Sequence, residues 1–315
     1  MNVDGFRDDV LAEPATLEAM LDAYAGRTLP SLDGRRVVLI GMGSSRFAAL
    51  TAAAELRRRG VTAIAEYAST DAPLPPARDV TAIGISASAR TPETVEALAR
   101  HRGVSHTVAI TNFPDRELAA VADEVLPLHA GEEKGGIACR SFQTTLALLH
   151  LLAGVPVDRL RRAPAAQTAT FASAERWLEP LLALLEGAHT VYTVAPAERI
   201  SSALESALML REAPRVPADA TETGDWLHVD VYMTKHADYR ALLFGGSRFD
   251  AGLMEWAHER GASIVAVGVP VEGAALHVPI DGTTDPAVLS LVEVSAVELL
   301  AAEWWRRRLA AGRMP

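Results

Sequence analysis

The chain has one cysteine, Cys139, among its 315 residues. That count excludes an internal disulfide and a zinc site built on several thiolates. No stretch reaches the roughly 18 uncharged apolar residues that a membrane span needs. Met1 to Ala15 carries Asp4, Asp8, Asp9 and Glu13 where a signal peptide would be apolar. Basic charge is in deficit, with a net charge of −10, so neither nucleic acid nor an anionic membrane surface is an expected partner. A small anion is still compatible, because backbone N–H groups at a helix start bind one whatever the net charge. No Gly-Lys-Ser/Thr phosphate loop occurs, and Gly41-Met42-Gly43 lacks the third glycine and acidic partner of a dinucleotide site. Neither a nucleotide nor any other cofactor is expected. The single cysteine points to a reducing cytoplasm.

Aromatic residues are also few, at 5 %, and Ala, Leu and Val supply the apolar content, as in folds where helices lie close on a sheet. Length alone is a prior for two domains, at roughly 100–200 residues each. Glu13 to Tyr24 places Leu17, Met20, Leu21 and Tyr24 at helical spacing after Pro14. From Arg36 the pattern changes to short β-branched runs at 36–41, 62–67, 80–85, 106–111 and 124–128. The stretches 47–59, 92–102 and 116–121 between them have helical spacing. Uninterrupted apolar runs alternating with helices indicate a parallel sheet covered on both faces.

Helices are expected at 141–152 and from Gln167 to about Leu185, and then the alternation restarts. Runs at 190–195, 215–220, 240–245, 263–268 and 277–280 form a second set of five. Ala99-Arg100-His101-Arg102-Gly103 followed by HTVAI parallels Ala257-His258-Glu259-Arg260-Gly261 followed by SIVAV at an offset of 158, which suggests internal duplication. The expected fold is α/β: two tandem three-layer αβα sandwiches, each around a five-stranded parallel sheet. The expected division is a helical segment at 1–30, a first domain at 31–155, a connecting helix at 156–186 and a second domain at 187–315.

In open parallel sheets, ligands sit beyond the carboxyl ends of the strands. After the first strand comes Gly41-Met42-Gly43-Ser44-Ser45, and after the third comes Ser86-Ala87-Ser88-Ala89-Arg90-Thr91. Gly43 permits a tight turn, Ser44 and Ser45 sit in a first helical turn with unpaired N–H groups, and Thr91-Pro92 reads as an N-cap and first helical residue. Two hydroxyl-rich loops that each open a helix suit a phosphoryl group. Taken singly, such serines are also ordinary caps and turns.

Gly43-Ser44-Ser45, Ser86-x-Ser88-x-x-Thr91 and the stretch from Ala130 to Phe142 resemble the sugar isomerase (SIS) domain. They are most similar to the isomerase half of glutamine:fructose-6-phosphate amidotransferase and to stand-alone aminosugar-6-phosphate deaminases and fructosamine-6-phosphate deglycases. The resemblance covers roughly residues 10 to 310 as two tandem domains. It implies that Ser45, Ser86, Ser88 and Thr91, with Ser44 beside them, hold a sugar 6-phosphate. It also implies that Gly136 and Ala138 lie where sugar hydroxyls are contacted. Ala87 and Ala138 depart from the family's usual Gln and Ser.

The family's base maps to Glu212, seven residues after Glu205 and at a helix C-terminus, where the dipole raises a carboxyl pKa. By residues alone Glu212 also reads as a solvated glutamate. Its ring-opening histidine maps to His228, supplied across a homodimer. Two departures are Met209 in place of a lysine and the absence of a C-terminal lysine tail. The implied function is aldose–ketose isomerisation coupled to deamination or deglycation of an aminosugar or ketosamine 6-phosphate, through an enediol or enolamine. The alternative is a non-catalytic sugar-phosphate-binding regulatory protein. His228, Asp230 and His236 lack a further carboxylate at metal-site spacing, so no metal is expected.

Overall fold

The computed structural model describes residues 1–235, 238–280 and 282–313. Ten strands are present among the described residues: β1 (Arg36–Gly41), β2 (Thr62–Tyr67), β3 (Val80–Ile85), β4 (His106–Thr111), β5 (Glu124–Pro127), β6 (Val191–Ala195), β7 (Ala218–Glu222), β8 (Arg240–Phe244), β9 (Ser263–Gly268) and β10 (Leu276–Pro279). The helices are α1 (Val3–Leu11), α2 (Glu13–Tyr24), α3 (Ser44–Arg58), α4 (Pro92–Ala99), α5 (Glu117–Ala120), α6 (Arg140–Leu152), α7 (Val157–Leu160), α8 (Arg162–Ala172), α9 (Ala174–Leu185), α10 (Ile200–Glu212), α11 (Thr223–Trp226), α12 (Asp250–Glu259) and α13 (Pro286–Ala310). The chain divides into two compact units. One comprises 15–132 and 140–161, the other 1–14, 133–139 and 162–315. The units interleave along the sequence, whereas the linear reading keeps 31–155 whole.

The first unit holds a sheet of order β2-β1-β3-β4-β5, every pair parallel. Strands β1 and β3 are almost wholly buried, which is why they read as unbroken apolar runs. From β1 the chain crosses to β2 in one direction, and from β3 to β4 and β5 in the other. With right-handed crossovers, α3 therefore lies on one face and α4 and α5 on the opposite one. Helix α6 joins the α3 layer.

The second unit repeats this plan. Its order β10-β9-β8-β6-β7 is also wholly parallel and equals the first when β6 is matched to β1 and β8 to β3. The sequence match at an offset of 158 falls at the equivalent junctions α4 to β4 and α12 to β9. Helices α10 and α13 pack together, as α3 and α6 do. Helix α1 lies along α13, with Phe6 against Trp305 at 6.3 Å between ring centroids.

This unit also buries acids. Glu13, Glu205 and Glu298 are each at most 1 % exposed. The Gln167 amide donates to Glu13 Oε2 at 3.1 Å and to Ser295 Oγ at 2.8 Å. Burial first, then the neighbouring Glu13, Glu205 and Glu133, drives the Glu298 carboxyl well above the usual carboxylate range.

Several boundaries differ from the sequence reading. The helical segment expected at 1–30 is two helices, α1 (Val3–Leu11) and α2 (Glu13–Tyr24), the first lying ahead of the residues whose spacing was read as helical. Strand β7 begins at Ala218 rather than 215, because Arg215 adopts a left-handed φ of 57° and Pro217 has no N–H to give a ladder. The helix expected from 167 to 185 is two, α8 and α9, separated at Ser173, whose hydroxyl donates to Thr170 O and accepts from Trp177 Nε1.

Candidate functional site

Strands β1 and β3 are neighbours, paired through Ile40 and Gly84, and the chain leaves them in opposite directions. Their carboxyl ends therefore flank the point in the sheet where a crevice opens. The turn after β1 is closed by glycine geometry. A Cβ on Gly41 would meet Ser45 Cβ at 3.0 Å and Arg46 N at 3.1 Å. Gly43 has φ 50° and ψ −130°, a conformation that other residues avoid. As the N-cap of α3, Gly43 has no side chain to occupy the first-turn N–H groups. Ser44 and Ser45 are half-buried in that turn.

The loop after β3 gathers hydroxyls. Ser86 is buried, with its N–H on Ile110 O at 3.1 Å. Its Oγ lies 2.9 Å from Thr91 Oγ1 and 3.4 Å from Ser88 Oγ. Ala89 takes a left-handed φ of 58° and returns its N–H to Ser86 O at 3.0 Å, which folds the loop around Ser86. Arg116 donates to Ser88 O at 3.1 Å. Thr91 holds the N-cap position of α4 as expected, but its hydroxyl faces Ser86 and does not cap the helix. The result is three clustered hydroxyls and a second open helix start, the donor set that a phosphoryl group takes.

The other candidates lie in the second unit. The 133–139 strap is fastened to α1: Gly135 N–H donates to Asp9 Oδ2 at 2.7 Å and Asn2 N–H to Gly135 O at 3.1 Å. Gly136 in this strap has φ 73° and is exposed, Ala138 is half-buried, and Cys139 is buried. Glu212 is the last residue of α10 and is half-buried. Desolvation raises its pKa against the opposing pull of Arg215 and Arg211. Glu212 is thus neither fully solvated nor enclosed. Glu205, one face up the same helix, is fully buried.

His228 is exposed and follows α11, with its N–H on Asp225 O at 2.8 Å. Its loop is anchored by the buried Trp226, whose Nε1–H donates to Tyr239 Oη at 2.7 Å; Tyr239 in turn stacks on Tyr192 at 4.2 Å. His236 lies outside the described residues. Among the described residues no group of three or more His, Cys, Asp or Glu is placed to hold a metal.

Two features go beyond the sequence reading, which named Asp230 only beside His228 and His236. Asp230, two residues past His228, is pushed up to about 6 by burial, with Asp219 and Asp225 adding to the effect. The crevice of the second sheet, at the ends of β6 and β8, is filled by the protein's own charges. Arg199 is 3 % exposed; it pairs with Glu293 at 2.9 Å and donates to the carbonyls of Phe244 and Gly245. Ser202 Oγ donates to Glu293 at 2.8 Å. The Asp250 carboxylate accepts from Gly246 N at 2.7 Å and Ser247 N at 3.0 Å, and so occupies the amides that an anion would use. In the duplicated sheet these loops are the equivalents of those after β1 and β3.

Residues 32–154 match the family model described as the SIS domain. A glutamine–fructose-6-phosphate aminotransferase (isomerizing) of Pyrobaculum aerophilum is 32% identical over 233 residues, 69% of this chain and 37% of that protein. The chain spans between 31% and 50% of the length of the first curated relatives it matches. Among solved structures, the C-terminal domain of the glucosamine-fructose-6-phosphate aminotransferase of Francisella tularensis superposes with a TM-score of 0.82 at 16% identity, covering 95% of both chains. The glucosamine-6-phosphate deaminase of Thermotoga maritima gives 0.78 at 18% identity, covering 96% of this chain and 95% of that one. At these identities the structures speak to the fold.

Proposed function

We propose, from the premise that this chain belongs to the SIS-domain family, that it processes a hexose or aminosugar 6-phosphate by moving a proton between C1 and C2. The observation that carries this reading is the convergence of the Ser86, Ser88 and Thr91 hydroxyls beside the open start of α3, at the crevice of the first sheet. In this reading Ser44 and Ser45 complete the phosphate cradle, and Gly136 and Ala138 contact the sugar.

Ring opening transfers the O1 proton to the ring oxygen as the C1–O5 bond breaks, with His228 as the relay. The Glu212 carboxylate then takes the C2 proton of the open-chain aldehyde. The electron pair forms a C1–C2 double bond, the carbonyl oxygen is protonated, and the enediol collapses to the ketose as O2 gives up its proton and the carried proton is delivered to C1. A raised pKa suits Glu212 to both halves of that exchange. With a 2-amino sugar the same shift gives a C2 imine, and water releases ammonia from it. With a ketosamine the shift runs in reverse: the proton leaves C1 and returns at C2, giving a C1 imine from which water releases the amine. The open-chain carbonyl acidifies the transferred proton, so the proposal needs no cofactor. A homodimer that supplies His228 in trans is part of the proposal, supported by Val229, Tyr232 and Met233 beside it, which are 53 %, 61 % and 47 % exposed.

The test is turnover of glucosamine 6-phosphate, fructose 6-phosphate and fructosamine 6-phosphate. Glu212→Gln is expected to lose about 10²- to 10⁴-fold in kcat, and an unchanged rate removes Glu212 as the base. Ala87, which brings no side-chain donor to the phosphate loop, favours a second reading as a sugar-phosphate-binding regulatory protein. That reading predicts thermal stabilisation by glucosamine 6-phosphate with no product formed.

A further inference from the structure

A phosphoryl dianion in the crevice of the first sheet needs a countercharge, and the two hydroxyl loops supply little. Ala87 has no donor, and Arg90 pairs with Glu117 at 3.5 Å. Arg116 is committed to Ser88 O and lies over Phe113, 3.4 Å from its centroid.

Arg46 is placed differently. It follows Ser45 in the first turn of α3, and side chains on a helix lean toward its N-terminus, here the open end. Its guanidinium lies 3.6 Å from the ring centroid of Tyr67, at the carboxyl end of β2 beside Gly41. Its Nε is buried without a hydrogen-bond partner, and no carboxylate lies within 4.0 Å of it among the described residues. A flat guanidinium parked on an aromatic face keeps its charge and its outer N–H groups uncommitted, at a modest stabilisation.

We propose that Arg46, shelved on Tyr67, is the phosphate-binding cation of this crevice and replaces the donor that residue 87 does not provide. The inference rests on the phosphosugar reading above. It deepens that reading by making a doubly charged phosphoryl group, rather than the sugar, the feature selected at this end.

Calorimetric binding of glucosamine 6-phosphate, with glucosamine and inorganic phosphate as controls, tests the assignment. Arg46→Gln is expected to weaken glucosamine 6-phosphate by about 10- to 100-fold, the worth of charge-assisted bonds. Arg46→Lys should restore part of that loss, and Tyr67→Leu should cost about two- to fivefold. Affinity should fall less steeply with salt in Arg46→Gln than in the unaltered protein, a readout that a structural role would not move. Affinity of Arg46→Gln within about twofold of the unaltered protein overturns the assignment. If Ser86→Ala/Ser88→Ala loses binding in the same experiment, the phosphosugar reading survives that failure. Absence of any sugar-phosphate binding by the unaltered protein overturns both.

Discussion

Glu298→Gln removes the titrating group at the centre of the buried acid cluster while keeping its shape. In the folded chain Glu298 is 1 % exposed and faces Glu13, Glu205 and Glu133, and Glu13 in turn accepts from the Gln167 amide. Desolvation and like charge both favour its protonated form. In the unfolded chain it titrates near 4.3. Because the folded pKa lies above the unfolded one, the stabilising contribution is complete below about pH 4.3 and drains away as pH rises toward the folded value. Each pH unit in that window costs about 1.4 kcal/mol. The cluster shares its protons, so the window belongs to the group of acids rather than to one residue. Glu298→Gln should therefore match the parent near pH 4.5 and gain on it by about 1.4 kcal/mol per pH unit above that, until the parent's cluster ionises. Urea unfolding from pH 4.5 to 8, with the slope in denaturant checked for constancy, measures the difference. Parallel stability curves for the two proteins would refute the argument.

Arg199→Met should cost about 3–5 kcal/mol, because Glu293 keeps its buried place without its cation. A further Glu293→Gln change should recover part of that loss, and a urea midpoint that does not move in the single variant contradicts the account. Gly135→Ala sets a Cβ 2.4 Å from Phe6 Cα, and backbone cannot yield as a flexible side chain does. The expected cost is about 1–3 kcal/mol, with α1 released to limited proteolysis. Unchanged protection of residues 1–14 would show that the strap does not need that contact.

Strands β1, β3 and β4 were legible to the residue because each is a buried apolar run bounded by small or polar residues, and the edge strand β2, though half exposed, repeats their length between a helix end and a turn. The duplication was legible because a helix end, a glycine stop and a strand recur together. Helix α13 was not. Glu293 and Glu298 within it look like an exposed face, yet both are buried. Strand β7 was misplaced because an apolar count ignores what Pro217 does to a ladder. The loops at 42–45 and 86–91 were visible as motifs, but the turning of Thr91 toward Ser86 was not, since a cap and a cluster use the same residue type.

Sequence alone determined the two-sheet architecture and the identity of the hydroxyl loops, because period and residue type are local properties of the chain. Tertiary structure decided which charges stay in water and which are enclosed. That is why the first crevice gathers hydroxyls, the second is closed by Arg199, Glu293 and Asp250, and the carboxyls of Glu212, Asp230 and Glu298 are raised above their usual range. Solvation and proximity are set by residues far apart in sequence, and no single stretch of it carries them.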